Sequence, residues 1–227
     1  MAPKSITEII NVQALQWEHR RRTSQQAVPH QQPVITVSSE YGSQGQQIAH
    51  AVAQKLSFDL FDRELLDRVV ASANASRRLV ESLDNRVRDW ITEFITGQFD
   101  AQQFTSGDYL RHLSRVILAI GHHGRSVLIG RGSQFILDPR YTLRVRTIAP
   151  LPVRIAYVAK TENLTEKEAR AEILRRTADR AAFCRLHFDR DVANAEHYDV
   201  TINTAALSIE VNAEIVVHAY QARFGRS

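Results

Sequence analysis

Five short apolar runs alternate with helical patterns along the 227-residue chain, and this alternation restricts the fold more than any other feature. The runs fall at residues 34–37, 58–61, 127–130, 141–148 and 200–203. Short apolar strands separated by helices form a parallel sheet covered on both faces, so the predicted class is α/β with a five-stranded parallel sheet. Ligands of such sheets bind at the carboxyl ends of the strands. Here the first three strands end in Gly42/Gly45, Asp62-Arg63 and Gly130-Arg131-Gly132, the polar, glycine-bearing positions a phosphate ligand needs.

The helical patterns are read at 46–56, 64–85 with an interruption near Asn74, 86–104 with a break at Gly97, 109–122, 152–160, 165–186 and 208–224. Ile48, Ala49, Val52, Ala53 and Leu56 have helical spacing, and Thr165-Glu-Lys-Glu168 has the form of a capping box. Residues 6–22 predict a preface helix, followed by a Gln-rich linker with two prolines, so the chain divides into 1–32 and 33–227. The preface packs on the domain or on a second copy, which leaves a homodimer through this helix open.

Composition narrows the function classes. Hydrophobic residues make up 44% and charged residues 24%, as in a soluble globular protein. No apolar stretch approaches the roughly 20 residues of a membrane span, and the N-terminus lacks a signal-peptide apolar core. One cysteine, Cys184, leaves no intrachain disulfide framework and fits a cytoplasmic setting. The net charge of +4 is spread among 25 acids, apart from the run His19-Arg-Arg-Arg22, which disfavours nucleic acid and suits a small anionic ligand.

The segment Pro33-Val-Ile-Thr-Val-Ser-Ser-Glu-Tyr-Gly-Ser-Gln-Gly-Gln-Gln-Ile-Ala49 carries the most chemistry. A strand breaks into glycines and a helix follows. Backbone N–H groups at that helix start have no intrahelical partner and lie at its positive end, so they can hold an anion. The full phosphate loop G-x-x-x-x-G-K-[ST] is not present, because its lysine is missing.

Four motifs in series resemble the cytidylate kinase-like proteins, P-loop relatives of the nucleoside monophosphate kinases. They are Ser38-x-Glu-Tyr-Gly-Ser-x-Gly45, Phe61-Asp-Arg-Glu-Leu-Leu66, Ile129-Gly-Arg-Gly132 and Tyr198-Asp-Val-Thr-Ile-Asn-Thr204, within a resemblance spanning residues 33–220. The resemblance implies a three-layer P-loop nucleotide-kinase fold with a helical lid at about 161–196. It implies phosphoryl transfer from ATP, with Mg²⁺, to a nucleoside monophosphate. By position, Gly42, Ser43, Gln44, Gly45, Gln46 and Gln47 match the loop around the donor phosphates. Asp62, Arg63 and Arg68 match acceptor-binding positions. Arg131 matches the arginine that grips the acceptor phosphate, and Arg180 and Arg185 match the lid arginines. Arg131, Arg180 and Arg185 are thus the expected catalytic set.

The chain departs from the family pattern in a consistent direction. Against true cytidylate kinases, Gly45 stands at the loop-lysine position, a lysine that the cytidylate kinase-like group also lacks, and Gln47 at that of the metal-holding Ser/Thr. Ser39 and Gln46 replace arginines typical of the cytidylate kinase-like loop, Gln44 replaces a glycine, Thr177 an acid of the lid, and Gly132 an aspartate. A catalytically impaired nucleotide-binding or regulatory protein of the same fold is therefore the alternative reading. A dinucleotide-binding oxidoreductase is a third, since Asp62 follows Gly42 by 20 residues, but the full G-x-G-x-x-G is missing. Glu40 is read as a loop cap or a water-mediated Mg²⁺ partner. His122-His123 points its two rings differently and assigns no metal site. Trp90, Phe94 and Phe99 read as core or subunit contact, and Cys184 as a packing residue.

Overall fold

The computed structural model describes residues 6–23, 33–98 and 107–225. The run His19–Arg22 belongs to a described helix whose side chains there are not described, and the linker 24–32 and Phe99 lie outside the described residues. Five strands, β1 (Val34–Ser39), β2 (Asp59–Phe61), β3 (Ser126–Ile129), β4 (Thr142–Ile148) and β5 (Val200–Asn203), form one sheet in the order β2-β3-β1-β4-β5. The pairs β1–β3, β1–β4 and β4–β5 run parallel, with Thr36 opposite Leu128 and Arg144, and Val145 opposite Val200. The α/β class and the parallel sheet are as expected. Among the described residues, no helix is long and apolar enough to cross a membrane.

Contacts divide the chain into two compact units, residues 1–32 with 61–124, and residues 33–60 with 125–227. The first unit is helical: α1 (Ile6–Thr23), α3 (Arg63–Ala71), α4 (Ala73–Glu81), α5 (Asn85–Gln98) and α6 (Gly107–His123). Helix α1 packs on α4 and α3, and α6 meets α3, α4 and α5. On α1, Ile10, Ala14 and Trp17 are buried. Trp17 stacks on His123 at 3.9 Å between ring centroids, while His123 Nε2 lies 2.8 Å from Ser82 Oγ. Burial lowers the pKa of the adjacent His122.

Two helix boundaries differ from expectation. The break between α3 and α4 falls at Ser72, whose hydroxyl accepts from Ala75 N–H as the α4 N-cap. Helix α5 continues through Gly97, where a side chain would meet nothing within 4 Å. Trp90 is 45% exposed and stacks on Phe94, so it is not a core residue.

In the second unit, α2 (Gly45–Leu56) and α10 (Ile209–Phe224) cover one sheet face. Ile35, Val37, Val127, Leu143, Val145 and Ile202 pack there against Ile48, Val52, Ala213 and Val216. The alternate residues of the central strands, Thr36 and Ser38 on β1 and Arg144 and Arg146 on β4, point to the other face, because strand side chains alternate. A helical hairpin of α8 (Leu151–Glu162) and α9 (Glu166–Phe188) follows β4, turned by left-handed Asn163 (φ 54°). The capping box forms: Thr165 accepts from Glu168 N–H, and Glu168 accepts from Thr165 N–H. The short α7 (Ser133–Ile136), after β3, has no counterpart in the sequence reading.

Asp199 ties β4 to α10. Its carboxylate accepts from Arg144 N–H at 2.8 Å and pairs with the guanidinium groups of Arg144 and Arg223, each at 2.8 Å. Burial pushes this carboxyl up, but the Arg144 and Arg223 interactions hold it below its ordinary value. A depressed carboxylate stabilises the fold above its unfolded pKa, near 3.9, and loses that contribution as pH falls through the folded pKa. Asp199→Asn is expected to cost about 1 kcal/mol at neutral pH and to flatten the fall in stability below about pH 4, measured by urea melts.

Candidate functional site: a strand–turn–helix anion cradle

The turn after β1 is bolted to its neighbours. Glu40 N–H donates to Thr147 O at 2.9 Å, and Ser43 N–H donates to Glu40 O at 3.0 Å. Ser43 is fully buried; its hydroxyl lies 2.8 Å from Glu40 O and 2.9 Å from Thr147 Oγ1. Thr204, just past β5, donates its hydroxyl to Ser43 O at 2.9 Å. Gln44 then takes a left-handed N-cap conformation (φ 57°, ψ 20°) without a side-chain cap, and α2 begins at Gly45. The first helical bond runs from Ile48 N–H to Gln44 O. The N–H groups of Gly45, Gln46 and Gln47 therefore have no intrahelical partner.

Both glycines have a steric reason. Gly42 has φ +85°, and a Cβ there would stand 3.0 Å from Arg154 Cβ and Val158 Cγ2. At Gly45 a Cβ would meet Ser39 Oγ at 1.9 Å, Thr147 Oγ1 at 2.4 Å and Ser39 Cβ at 2.7 Å. Two neighbouring side chains thus leave no room for a Cβ at residue 45. Gln46 and Gln47 are exposed. Gln47, at the position of the metal-holding hydroxyl, donates its amide to the Tyr157 hydroxyl on α8.

Glu40 does not cap the helix. Its Oε2 accepts from Ala149 N–H at 3.2 Å and lies 3.5 Å from Arg154 Nε, and Oε1 lies 3.9 Å from Arg146 Nη2. Tyr41 fixes the turn to the α8–α9 hairpin. Its hydroxyl donates to Glu162, and the Arg176 guanidinium lies over its ring at 4.7 Å. Burial and the Glu162 bond push the Tyr41 hydroxyl up to about 12.

Arg131 lies between Gly130 (φ 73°) and Gly132 (φ 68°) and is itself left-handed (φ 54°), a conformation uncommon outside glycine. Its guanidinium lies over the Phe183 ring of α9 at 5.7 Å. A Cβ at Gly132 would be 2.2 Å from Phe188 Cε2, so the α9 aromatic leaves no room for a side chain at this position. The β3 turn and the end of α9 are thereby brought together. Arg180 is half-buried, Arg185 and Thr177 are exposed, and Cys184 between them is buried. Burial raises the Cys184 thiol to about 11, against the lowering effect of Arg180 and Arg146, which makes it a poor nucleophile.

The acceptor-side residues belong to the helical unit. Asp62 is the N-cap of α3, accepting from Leu65 N–H at 2.8 Å. Arg63 is exposed and 4.0 Å from Asp67, and Arg68 is exposed. Asp62→Ala is expected to lose about 1 kcal/mol of stability, whereas Asp62→Asn keeps the cap. If Asp62 also contacts an acceptor through its charge, Asn lowers acceptor affinity with an unchanged melting temperature.

Sequence reading singles out neither Arg146 nor Arg154, and takes Tyr198 only as the start of a motif. Arg146 is buried on β4, donating to Val192 O at 2.6 Å, with its guanidinium over the Tyr198 ring at 5.4 Å. The Tyr198 hydroxyl lies 2.8 Å from Val192 O and 3.2 Å from Ser38 Oγ. A signal was present: charged side chains in a run such as Leu143-Arg-Val-Arg146 are out of place in a buried parallel strand.

The donor set does not fit a protein-held Mg²⁺. The Ser43 hydroxyl faces inward, Gln47 stands for the expected hydroxyl, and Glu40 faces two arginines. Among the described residues, no group of three His, Cys, Asp or Glu side chains could hold a metal ion.

A parallel sheet in the order β2-β3-β1-β4-β5, whose central strand β1 runs through a glycine turn into α2, has an α/β nucleotide-kinase fold. The family model described as cytidylate kinase-like matches residues 34–206, and the chain belongs to that family. It is 22% identical over 183 residues to a cytidylate kinase of Ignicoccus hospitalis, covering 81% of this chain and 96% of the relative. An uncharacterized protein from Eubacterium ventriosum superposes with a TM-score of 0.66 at 17% identity, covering 84% of this chain and 99% of that one. TT1252 from Thermus thermophilus gives 0.50 at 16% identity, covering 87% and 100%. These two structural likenesses bear on the fold.

Proposed function

We propose that this chain transfers the γ-phosphoryl group of ATP to a nucleoside monophosphate, with CMP the first acceptor to test, or to another small phosphorylatable acceptor. The observation that carries this reading is the unpaired N–H set of Gly45, Gln46 and Gln47 behind a turn that rejects side chains at Gly42 and Gly45. The name of the Ignicoccus relative motivates CMP. An acceptor phosphate oxygen attacks Pγ, the bond from Pγ to the bridging oxygen breaks, and ADP leaves. The attacking oxygen is already anionic, so no general base is required. Charge spreads over the equatorial oxygens in such transfers, and fixed guanidinium groups lower the barrier most. In this reading Arg131, Arg180 and Arg185 supply them, the loop backbone holds the donor, and Asp62, Arg63 and Arg68 serve the acceptor. A coupled assay of ADP formation over CMP, UMP, AMP, GMP and dCMP tests the proposal. Turnover with at least one is expected; none with any would remove the nucleoside monophosphate as acceptor.

A second reading, nucleotide binding without transfer, is favoured by one specific observation. Ser39 and Thr147 leave no room for a Cβ at residue 45, so no side-chain cation can start from that position. It expects weak ATP binding that is indifferent to Mg²⁺ in calorimetry. Tight binding that requires Mg²⁺ would exclude it.

A further inference from the structure

At the carboxyl ends of the adjacent strands β1 and β4, two arginines share one acid. The Arg146 side chain is 8% exposed, Arg154 is 12% exposed, and Glu40 is 23% exposed. Each guanidinium is held from one side: Arg146 Nη1 donates to Val192 O at 2.6 Å, and Arg154 Nε donates to Ala149 O at 2.9 Å. Arg154 Nη1 is buried and has no hydrogen-bond partner. The ion pairs with Glu40, at 3.9 and 3.5 Å, are both longer than the roughly 2.7–2.9 Å of a well-formed charge-assisted bond. One carboxylate therefore faces two cations without saturating either. A buried cation without full compensation is costly, so an arrangement of this kind has a use for a second negative charge.

We propose that Arg146 and Arg154 form a receptor for a phosphoryl group at the base of the turn, and that Glu40 is its internal occupant, displaced when phosphate binds. A phosphate dianion carries more charge than a carboxylate, and its several oxygens can meet two guanidinium forks and the Ala149 N–H together. The receptor adjoins the turn, since Arg154 Cβ stands 3.0 Å from where a Gly42 side chain would begin. Glu40 is partly exposed and can swing toward solvent when displaced. The inference deepens the phosphate reading of the turn and rests on it for its ligand class. It adds a subsite that supplies cations from β4 and α8, where the turn has none.

The test titrates inorganic phosphate into the full chain at constant ionic strength, with chloride as the balancing anion, and reads both the rise in melting temperature and the dissociation constant. Glu40→Gln removes the competing charge and is expected to tighten phosphate binding tenfold or more. Arg154→Gln is expected to weaken it at least tenfold. An unchanged phosphate response in either folded variant overturns the receptor. If Glu40→Gln folds in phosphate but not in chloride, that also supports it; if it folds in neither, Arg154→Gln alone decides. Phosphate titrations that behave as expected in a chain with no transfer activity would remove the proposed reaction and leave the receptor. Transfer activity with unresponsive titrations would do the reverse.

Discussion

Gly45→Lys is expected to destabilise the protein by about 3 kcal/mol or more, without tightening ATP binding. Replacing this glycine by lysine would ordinarily be the way to repair a phosphate loop. Here the first atom of any side chain meets Ser39 Oγ at 1.9 Å and Ser39 Cβ at 2.7 Å. Rotation of the serine hydroxyl relieves the first contact but not the second. Thr147 Oγ1, at 2.4 Å, is already engaged with Ser43. The turn or the end of β4 must therefore move, and with it the bonds from Glu40 and Ser43 that fix the cradle. Gly45→Ala already carries most of the effect, because the clash begins at Cβ. Ser39→Gly is expected to recover part of the loss, a coupling that a double-mutant cycle in urea reads directly. An alanine variant as stable as the wild type would show that the turn is softer than its packing indicates.

Arg131→Ala is expected to lower kcat/KM for phosphoryl transfer by about 10²- to 10³-fold, with a stability change under about 1 kcal/mol. Its guanidinium lies over Phe183 and its backbone is left-handed between two glycines, so it is held in place by the turn and the α9 aromatic. Alanine at the same left-handed φ keeps the backbone strain and removes only the charge and the stack. Arg131→Lys is expected to restore little, because an ammonium neither stacks on the ring nor presents a planar fork. Steady-state kinetics with the best acceptor of the panel, beside a thermal melt, separates this loss from unfolding.

Much of the scaffold is legible in the sequence, for physical reasons. The run at 200–203 coincides with β5 because a short apolar strand bounded by polar residues has little room to shift. The Thr165–Glu168 capping box forms because it is local chemistry that needs no distant partner. Strand β1 runs on to Ser39, past the expected end at Val37, because Ser38 and Ser39 pair with Arg146 and Thr147 of β4, which no local pattern reveals. Ser72 ends α3 and starts α4, a double role that made the break appear at Asn74 in the sequence pattern. Helix α7 is one turn long and carries no periodicity to read.

The site was legible where it is local and hidden where it is tertiary. The glycines marked the turn, but the reason for Gly45 lies in Ser39 and in Thr147 on a distant strand. Ser43 was matched to the loop only by position; the burial of its hydroxyl follows from contacts with Thr147 and Thr204 that the motif does not encode. Gly132 appeared as a lost aspartate, and only the fold shows that the Phe188 ring leaves no room there for a side chain. Arg146 and Arg154 belonged to no motif, and only the fold brings them to Glu40.

The central claim is that guanidinium groups from the turn after β3 and from α9 neutralise the phosphoryl charge that the β1 turn, lacking its lysine, cannot, with those of α9 serving the donor. The most direct measurement is the calorimetric affinity of ATP for the wild-type chain and for the Arg180→Ala/Arg185→Ala double variant, both on exposed or half-buried positions of α9. A loss of tenfold or more, with the melting temperature unchanged, is the expected result. Equal affinities in two equally stable proteins would contradict the claim.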